Sequence, residues 1–363
     1  MSAERTDGRP NTPQWFSLLQ TNAMSEVGFS TYEGREAQSG KQPDCGPTDS
    51  TASASFQSLV DRSIQAWEAL NYVGCDRVAA IKSDSAKLRD LTKFGDLLTK
   101  REFWFFQLRK SFLEQQRLAK WNPNRLDQYI LLPISYGYVN NKDCYFVSHY
   151  WREQGNPDPA GVDLAAFKND LASDSGWLYI WVDWTCMPQG NCGKRSDLEN
   201  YYFKMMLQCI PMLIRDCAFE WRFPSFQARA WVLYELAEYV LTHAQHIITD
   251  DNKHFVNHIR EMVALDVKST LQKYEYKCTN ESDMRLVTGW LEILVLMARI
   301  FPDDIASRQV VLDNLNRPSI GTFSSPAMDL KVDKAKGILC HKGYIYRFTP
   351  VFHITSHVSA GLL

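Results

Sequence analysis

Apolar residues recur at helical spacing from Ser58 to Lys120, with Leu59, Ile64, Trp67 and Leu70 on one stripe and Phe103, Phe106, Leu108 and Phe112 on another. Between Tyr129 and Thr249 the pattern changes to short β-rich runs that alternate with helical stretches. Strands are expected at 129–134, 144–148, 178–182, 212–214 and 245–248, and helices near 161–171, 197–207 and 226–242. Ser196 followed by Glu199 is a capping box that marks the start of the middle helix. Strands apolar on both faces and joined by helical crossovers imply a mostly parallel sheet covered on each side, so the expected fold is a doubly wound α/β layer.

After Asp250 the pattern is helical again, at 252–274, 282–300 and 304–315. A Pro/Gly/Ser segment follows at 317–326. A closing hairpin is expected, in which His341-Lys342-Gly343 turns between Ile338-Leu339-Cys340 and Tyr344-Ile345-Tyr346. The first 55 residues are rich in Ser, Thr, Gly, Pro, Gln and Asp and poor in aliphatics, so burial cannot offset the entropy of ordering them and they are expected to be disordered. The organisation expected is thus a disordered segment to 55, a helical region at 56–128, an α/β core at 129–250, and a helical region with a terminal hairpin at 251–363.

Charge narrows the partners. Among 363 residues, 40 Lys+Arg face 42 Asp+Glu, a formal net charge of −2, so nucleic acid and anionic membrane surfaces are not expected partners. The best apolar run, 290–300, contains Glu292 and Arg299 and is too short to span a bilayer. A cluster of Lys100, Arg101, Arg109, Lys110, Arg117, Lys120 and Arg125 reads as a solvated helix face, with an RNA or phosphoinositide contact as the alternative. The start, MSAERTDGRP, has no apolar run of the secretory kind, and nine cysteines form no CxxC pair. Reduced thiols in a cytoplasmic protein are therefore expected.

Three segments could carry chemistry. The strand Tyr145-Phe-Val-Ser-His-Tyr-Trp151 ends in polar and aromatic groups, and ligands of parallel sheets bind at the carboxyl ends of strands. Ser148 and His149 therefore fall where a site would be, although a turn-capping serine and a loop histidine would read the same way. In Leu178-Tyr-Ile-Trp-Val-Asp-Trp-Thr-Cys-Met-Pro-Gln189, Asp183 stands at the next strand end, as a ribose contact or as an acceptor for backbone N–H groups. In Ala228-Arg-Ala-Trp-Val-Leu-Tyr-Glu-Leu236, Trp231 and Glu235 are four apart on one helix face. An indole wall there would partly desolvate the carboxylate and raise its pKa; a solvated or ion-paired Glu235 is the plainer alternative.

Taken in order, these segments resemble the fungal heterokaryon-incompatibility (HET) domain, a family similar to Toll/interleukin receptor (TIR) domains. The resemblance is carried by Ser148, Tyr150 and Trp151; by Trp181, Val182, Asp183, Cys186 and Gln189; and by Arg229, Trp231 and Glu235. Ser225, Trp231, Leu233, Glu235 and Leu236 also match the plant TIR pattern. The resemblance covers residues 145–241 and departs from the TIR arrangement in the loop Gly155-Asn-Pro-Asp-Pro159 and in His149 beside the serine. It implies a flavodoxin-like domain that assembles with copies of itself and, in catalytic members, cleaves the nicotinamide–ribose bond of NAD in self/non-self recognition or cell death.

Carried over, Glu235 would be the catalytic glutamate and Ser148 its partner in the site, with His149, Trp151, Asp183, Trp184, Arg229 and Trp231 binding substrate. NAD would be a substrate, and no cofactor is implied; neither a GxGxxG fingerprint nor a P-loop is present. Two rivals remain. One is a non-catalytic module for homo-oligomeric assembly. The other is an acyl-transfer enzyme of secondary metabolism with Ser148 as nucleophile and His149 or Glu235 as base.

Two further clusters point to little. His243, His246, His254 and His258 include one i, i+4 pair, but no HExxH or CxxC supplies further ligands, so no metal is expected. Cys186 and Cys192 flank a loop and read either as redox-sensitive or as idle thiols.

Overall fold

The run Phe103-Trp-Phe-Phe-Gln-Leu108 forms a strand, in place of the helical stripe its spacing suggests. A six-residue apolar run satisfies either periodicity, and burial of Phe103 to Gln107 on both sides decides for the sheet. In the computed structural model, which describes residues 49–351 apart from 101, 154, 174–175, 190–194, 224, 245 and 318–319, this strand is β1 (Phe103–Leu108) of a five-stranded sheet. Its companions are β2 (Tyr129–Pro133), β3 (Cys144–His149), β4 (Tyr179–Trp181) and β5 (Ala218–Arg222), in the order β2-β1-β4-β3-β5. β3 pairs in parallel with β4 and β5, whereas β1 runs antiparallel to both its neighbours. The sheet is mostly, not wholly, parallel.

Helices α1 (Asp49–Ala69), α2 (Arg77–Arg89) and α3 (Phe94–Lys100) precede β1, and α4 (Arg109–Glu114) follows it. Helix α5 (Val162–Ser173) joins β3 to β4. The β4–β5 connection carries α6 (Asp183–Cys186), α7 (Asp197–Leu207) and α8 (Ile210–Asp216). After β5 come α9 (Ala230–Thr242), α10 (Lys253–Ala264), α11 (Val267–Lys273), α12 (Asp283–Ile300) and α13 (Ile305–Leu315). A four-stranded antiparallel sheet, β6 (Thr322–Ser325), β7 (Leu330–Asp333), β8 (Ile338–His341) and β9 (Tyr344–Arg347), completes the described chain.

Several expectations are corrected. Residues 212–214 lie within α8, because Pro211 opens a helix at its first turn, where its missing N–H costs nothing; the strand follows at β5. Residues 246–248 form no strand: Ile247 and Ile248 are 43% and 46% exposed in a connection without a ladder partner, and residue 245 lies outside the described part. The helix expected at 226–242 begins at Ala230. That expected at 252–274 is broken at Leu265–Asp266, where the Asp266 carboxylate caps α11 by accepting the Ser269 N–H at 2.9 Å. The basic cluster does not line a single helix; Arg109 donates to the Trp177 and Leu171 carbonyls and so closes the end of α5. α1 starts at Asp49, and the rest of the segment expected to be disordered lies outside the described residues.

Other local signals hold. The β8–β9 hairpin turns through Lys342 and Gly343, both at positive φ (49° and 80°), as a two-residue hairpin of this twist requires. The Ser196 capping box forms: Ser196 Oγ accepts the Glu199 N–H at 3.3 Å, and Glu199 Oε2 accepts the Ser196 N–H at 2.8 Å. Ser196→Ala should cost about 1 kcal/mol, read from the shift in a urea unfolding midpoint.

What positions the site is the alternation along β3. Cys144 and Phe146 enter a large core shared with Trp181, Tyr202, Met206 and Leu213, while Tyr145 and Val147 enter a smaller one with Leu164, Phe167 and Leu171 of α5. Successive side chains of a strand point to opposite faces, so Ser148 continues the large-core side and His149 the α5 side. The chain leaving β3 turns to the α5 face, and the chain leaving β4 turns to the α7–α8 face. In parallel sheets, ligands bind where the exits of adjacent strands diverge at their carboxyl ends.

Candidate functional site

Ser148 is the last residue but one of β3, 2% exposed, and its hydroxyl donates to Glu235 Oε2 on α9. α9 packs on α8, α10 and α12 and reaches β3, so the glutamate is carried by an element fixed on several sides. Removal from water pushes the Glu235 carboxyl up to about 7, with the Asp183 charge adding to it, against the hydrogen bond from Ser148 and the charge of His149. Near neutral pH this group exchanges a proton readily.

His149 is buried on the other side of the sheet. Its ring meets Phe167 edge to face at 5.8 Å, Nε2 lies 3.4 Å from Asp183 Oδ1, and Nδ1 lies 4.0 Å from Asp163 Oδ2, without a hydrogen-bond partner among the described residues. Burial works against the imidazolium, but the hydrogen bond and charge of Asp183, with Asp163 and Glu235, outweigh it and raise its pKa. A histidine shifted this way adds stability below its unfolded pKa, about 6.5, and that contribution is lost as pH rises through the folded value. His149→Gln should therefore flatten the fall in unfolding free energy that the native chain shows as pH rises from about 6.5, measured by urea titrations across pH.

Asp183 opens α6 and serves as an acceptor: Oδ1 takes the Trp184 N–H at 2.6 Å and Oδ2 the Trp151 indole N–H at 2.8 Å. Its side chain remains 38% exposed. Gln189 braces it by donating to the Asp183 carbonyl at 2.9 Å. Trp151 is half-buried and available to a ring. Trp184 is not, because it is buried in the smaller core with the edge of Trp151 against it at 5.2 Å and the Lys120 ammonium 5.6 Å from its ring.

Two expected contacts fall elsewhere. Trp231 donates to Asp283 of α12 at 3.3 Å, and Arg229 to Gln227 Oε1 and Thr279 Oγ1. The surroundings of Glu235 thus come from β3 and β4, and Trp231 is held by α12. The i, i+4 relation fixed a helix face, but not the neighbour that competes for the indole N–H.

No family model, curated relative or solved structure matches this chain. The chemistry of the site is therefore read from its own geometry.

Sequence reasoning missed Asp163 and Arg152. Arg152 donates to Asp163 at 2.7 and 3.2 Å, and Asp158 caps α5 by accepting the Asp163 and Leu164 N–H groups. The Asp-x4-Asp spacing before an apolar helical run was the available signal for the cap. Cys186 is buried and its thiol is pushed up to about 11, mainly by burial, which makes it inert; Cys192 lies outside the described residues. His258 stacks on Tyr274 with ring centres 3.5 Å apart, and its Nδ1 lies 2.8 Å from the Tyr276 hydroxyl. Among the described residues no helix is long and apolar enough to cross a membrane, and no group of three His, Cys, Asp or Glu residues could hold a metal ion.

Proposed function

We propose that the chain is a HET/TIR-like, flavodoxin-like protein that cleaves the nicotinamide–ribose bond of NAD. The observation that carries this reading is the meeting of Glu235 with Ser148 at the end of β3, beside Asp183 at the end of β4. In the reaction, Glu235 as a carboxylate accepts hydrogen bonds from the ribose hydroxyls and stabilises the positive charge that grows on the ring as nicotinamide leaves. Water then adds to the ribose carbon, giving nicotinamide, ADP-ribose and a proton. Ser148 orients the carboxylate, and the half-buried Trp151 offers a face to the nicotinamide or adenine ring.

Incubating the purified protein with NAD and measuring nicotinamide release by mass spectrometry tests this reading. Absence of release from NAD, or release unchanged in Glu235→Ala, refutes it.

The contact between Ser148 and Glu235 also favours a second reading, in which Ser148 is a nucleophile with Glu235 as its base in acyl transfer. Against it, Ser148 is 2% exposed, which suits a positioning role better than attack on an acyl group. A covalent adduct on Ser148 trapped during turnover would select this alternative.

A further inference from the structure

A hollow of about 350 Å³ opens between the entry to α9 and the connection from α11 to α12, lined by residues 227–229, Tyr274, Glu275, Lys277 and Cys278. One wall is a short parallel pairing. The Lys277 N–H donates to the Ala228 carbonyl and the Ala230 N–H to the Lys277 carbonyl, both at 2.9 Å, which sets Arg229 opposite Lys277. Backbone bonding thus holds two cationic residues side by side, an arrangement that costs stability unless a negative group meets it.

Among the described residues neither cation is ion-paired. Arg229 donates to neutral oxygens, Gln227 Oε1 at 3.3 Å and Thr279 Oγ1 at 3.1 Å, and Lys277 is exposed with no carboxylate in ion-pair range. Glu275 lines the same hollow and pairs with neither, so one positive charge remains in excess. The Cys278 thiol is pushed up to about 12, burial being the main cause, so it is a poor nucleophile at neutral pH. The first N–H of α9 is already taken by the Lys277 carbonyl, so the two side chains supply the attraction.

We propose that this hollow binds the phosphoryl group of a small phosphorylated ligand, with Arg229 and Lys277 as its anchors. A guanidinium fork and a mobile ammonium together match the several oxygens of a phosphoryl group, which a single carboxylate ligand would not fill. The hollow adjoins the chain that leaves β3: Tyr150, next to His149, accepts the Gln227 N–H on its hydroxyl at 3.0 Å. Phosphoryl binding here is a separate event and does not require chemistry at Glu235.

Calorimetric titration of the full chain at low salt with ADP, inorganic phosphate and adenosine tests the proposal. ADP and phosphate are expected to bind and adenosine not. Equal affinity for the two anions assigns an isolated phosphoryl site, and tighter ADP binding assigns a nucleotide. Lys277→Gln should weaken ADP about tenfold, the double variant Arg229→Gln/Lys277→Gln should abolish binding, and Arg229→Lys should retain part of it. The exposed Lys277 variant keeps the test valid should Arg229→Gln disturb the fold. Inorganic phosphate has no ribose for Glu235 to hold, so its binding by the native chain and its loss in the double variant separate this proposal from the fate of the NAD reading. Failure of the native chain to bind either anion, or undiminished ADP binding by the double variant, overturns it.

Discussion

Glu235→Gln should reduce nicotinamide release from NAD by about 10²- to 10³-fold, the usual cost of removing one group that stabilises transition-state charge. The glutamine keeps the shape and the contact with Ser148 but cannot carry the negative charge. Because the carboxyl titrates near 7 and the proposed role needs its ionised form, kcat/KM of the native chain should rise with pH and level off above about 7. The variant's residual rate should lack that step. Stability should move the other way. A carboxyl whose pKa is raised on folding holds its proton more tightly when folded, so the native chain loses stability as pH climbs from about 4.5 to about 7. Glu235→Gln removes that loss. A variant that is folded and at least as stable at pH 8 yet inactive would place the defect in chemistry; a variant that turns over NAD normally would end the enzyme reading.

The largest effect on folding is expected at Arg215, which is 1% exposed. Its guanidinium donates to Glu238 of α9, to Asp313 of α13 at 2.9 Å and to Asn316 at 2.7 Å, so one side chain of α8 ties three elements together. Arg215→Met leaves the Glu238 carboxylate buried without its cation, and such losses cost about 3–5 kcal/mol. Measured by guanidinium unfolding, Arg215→Met/Glu238→Leu should recover part of that loss, because the fully buried Glu238 charge is removed, while Asp313, 19% exposed, loses its cation but keeps some contact with water. Equal instability of the single and double variants would mean that shape, not charge, dominates at this point. Glu238 lies one turn beyond Glu235, so the same pair also fixes the rotation of the helix that presents the glutamate to Ser148.

Legibility in the sequence followed the range of the forces involved. The capping box at Ser196, the hairpin at Lys342-Gly343, and helices α12 and α13 were readable because their determinants lie within a few residues. The ends of β3 and β4 were readable for the same reason, and with them the positions of Ser148, His149 and Asp183 at or just beyond the strand ends. Phe103–Leu108 and 212–214 were not, because a short apolar run fits a strand or a helix equally, and only the neighbours that bury it choose. The antiparallel direction of β1 and the bond from Trp231 to Asp283 also depend on partners distant in sequence.

By itself, then, the sequence determined the mixed α/β character, most element positions, and which polar groups end the parallel strands, since periodicity and capping act locally. Tertiary structure alone decided that β3 sends Ser148 to one face and His149 to the other. It also decided that α9 arrives on the Ser148 face with Glu235 toward the strand end, and that Arg229 turns instead toward Lys277. Those outcomes depend on which helix covers which face of the sheet, and that is settled by how two separate cores pack at once.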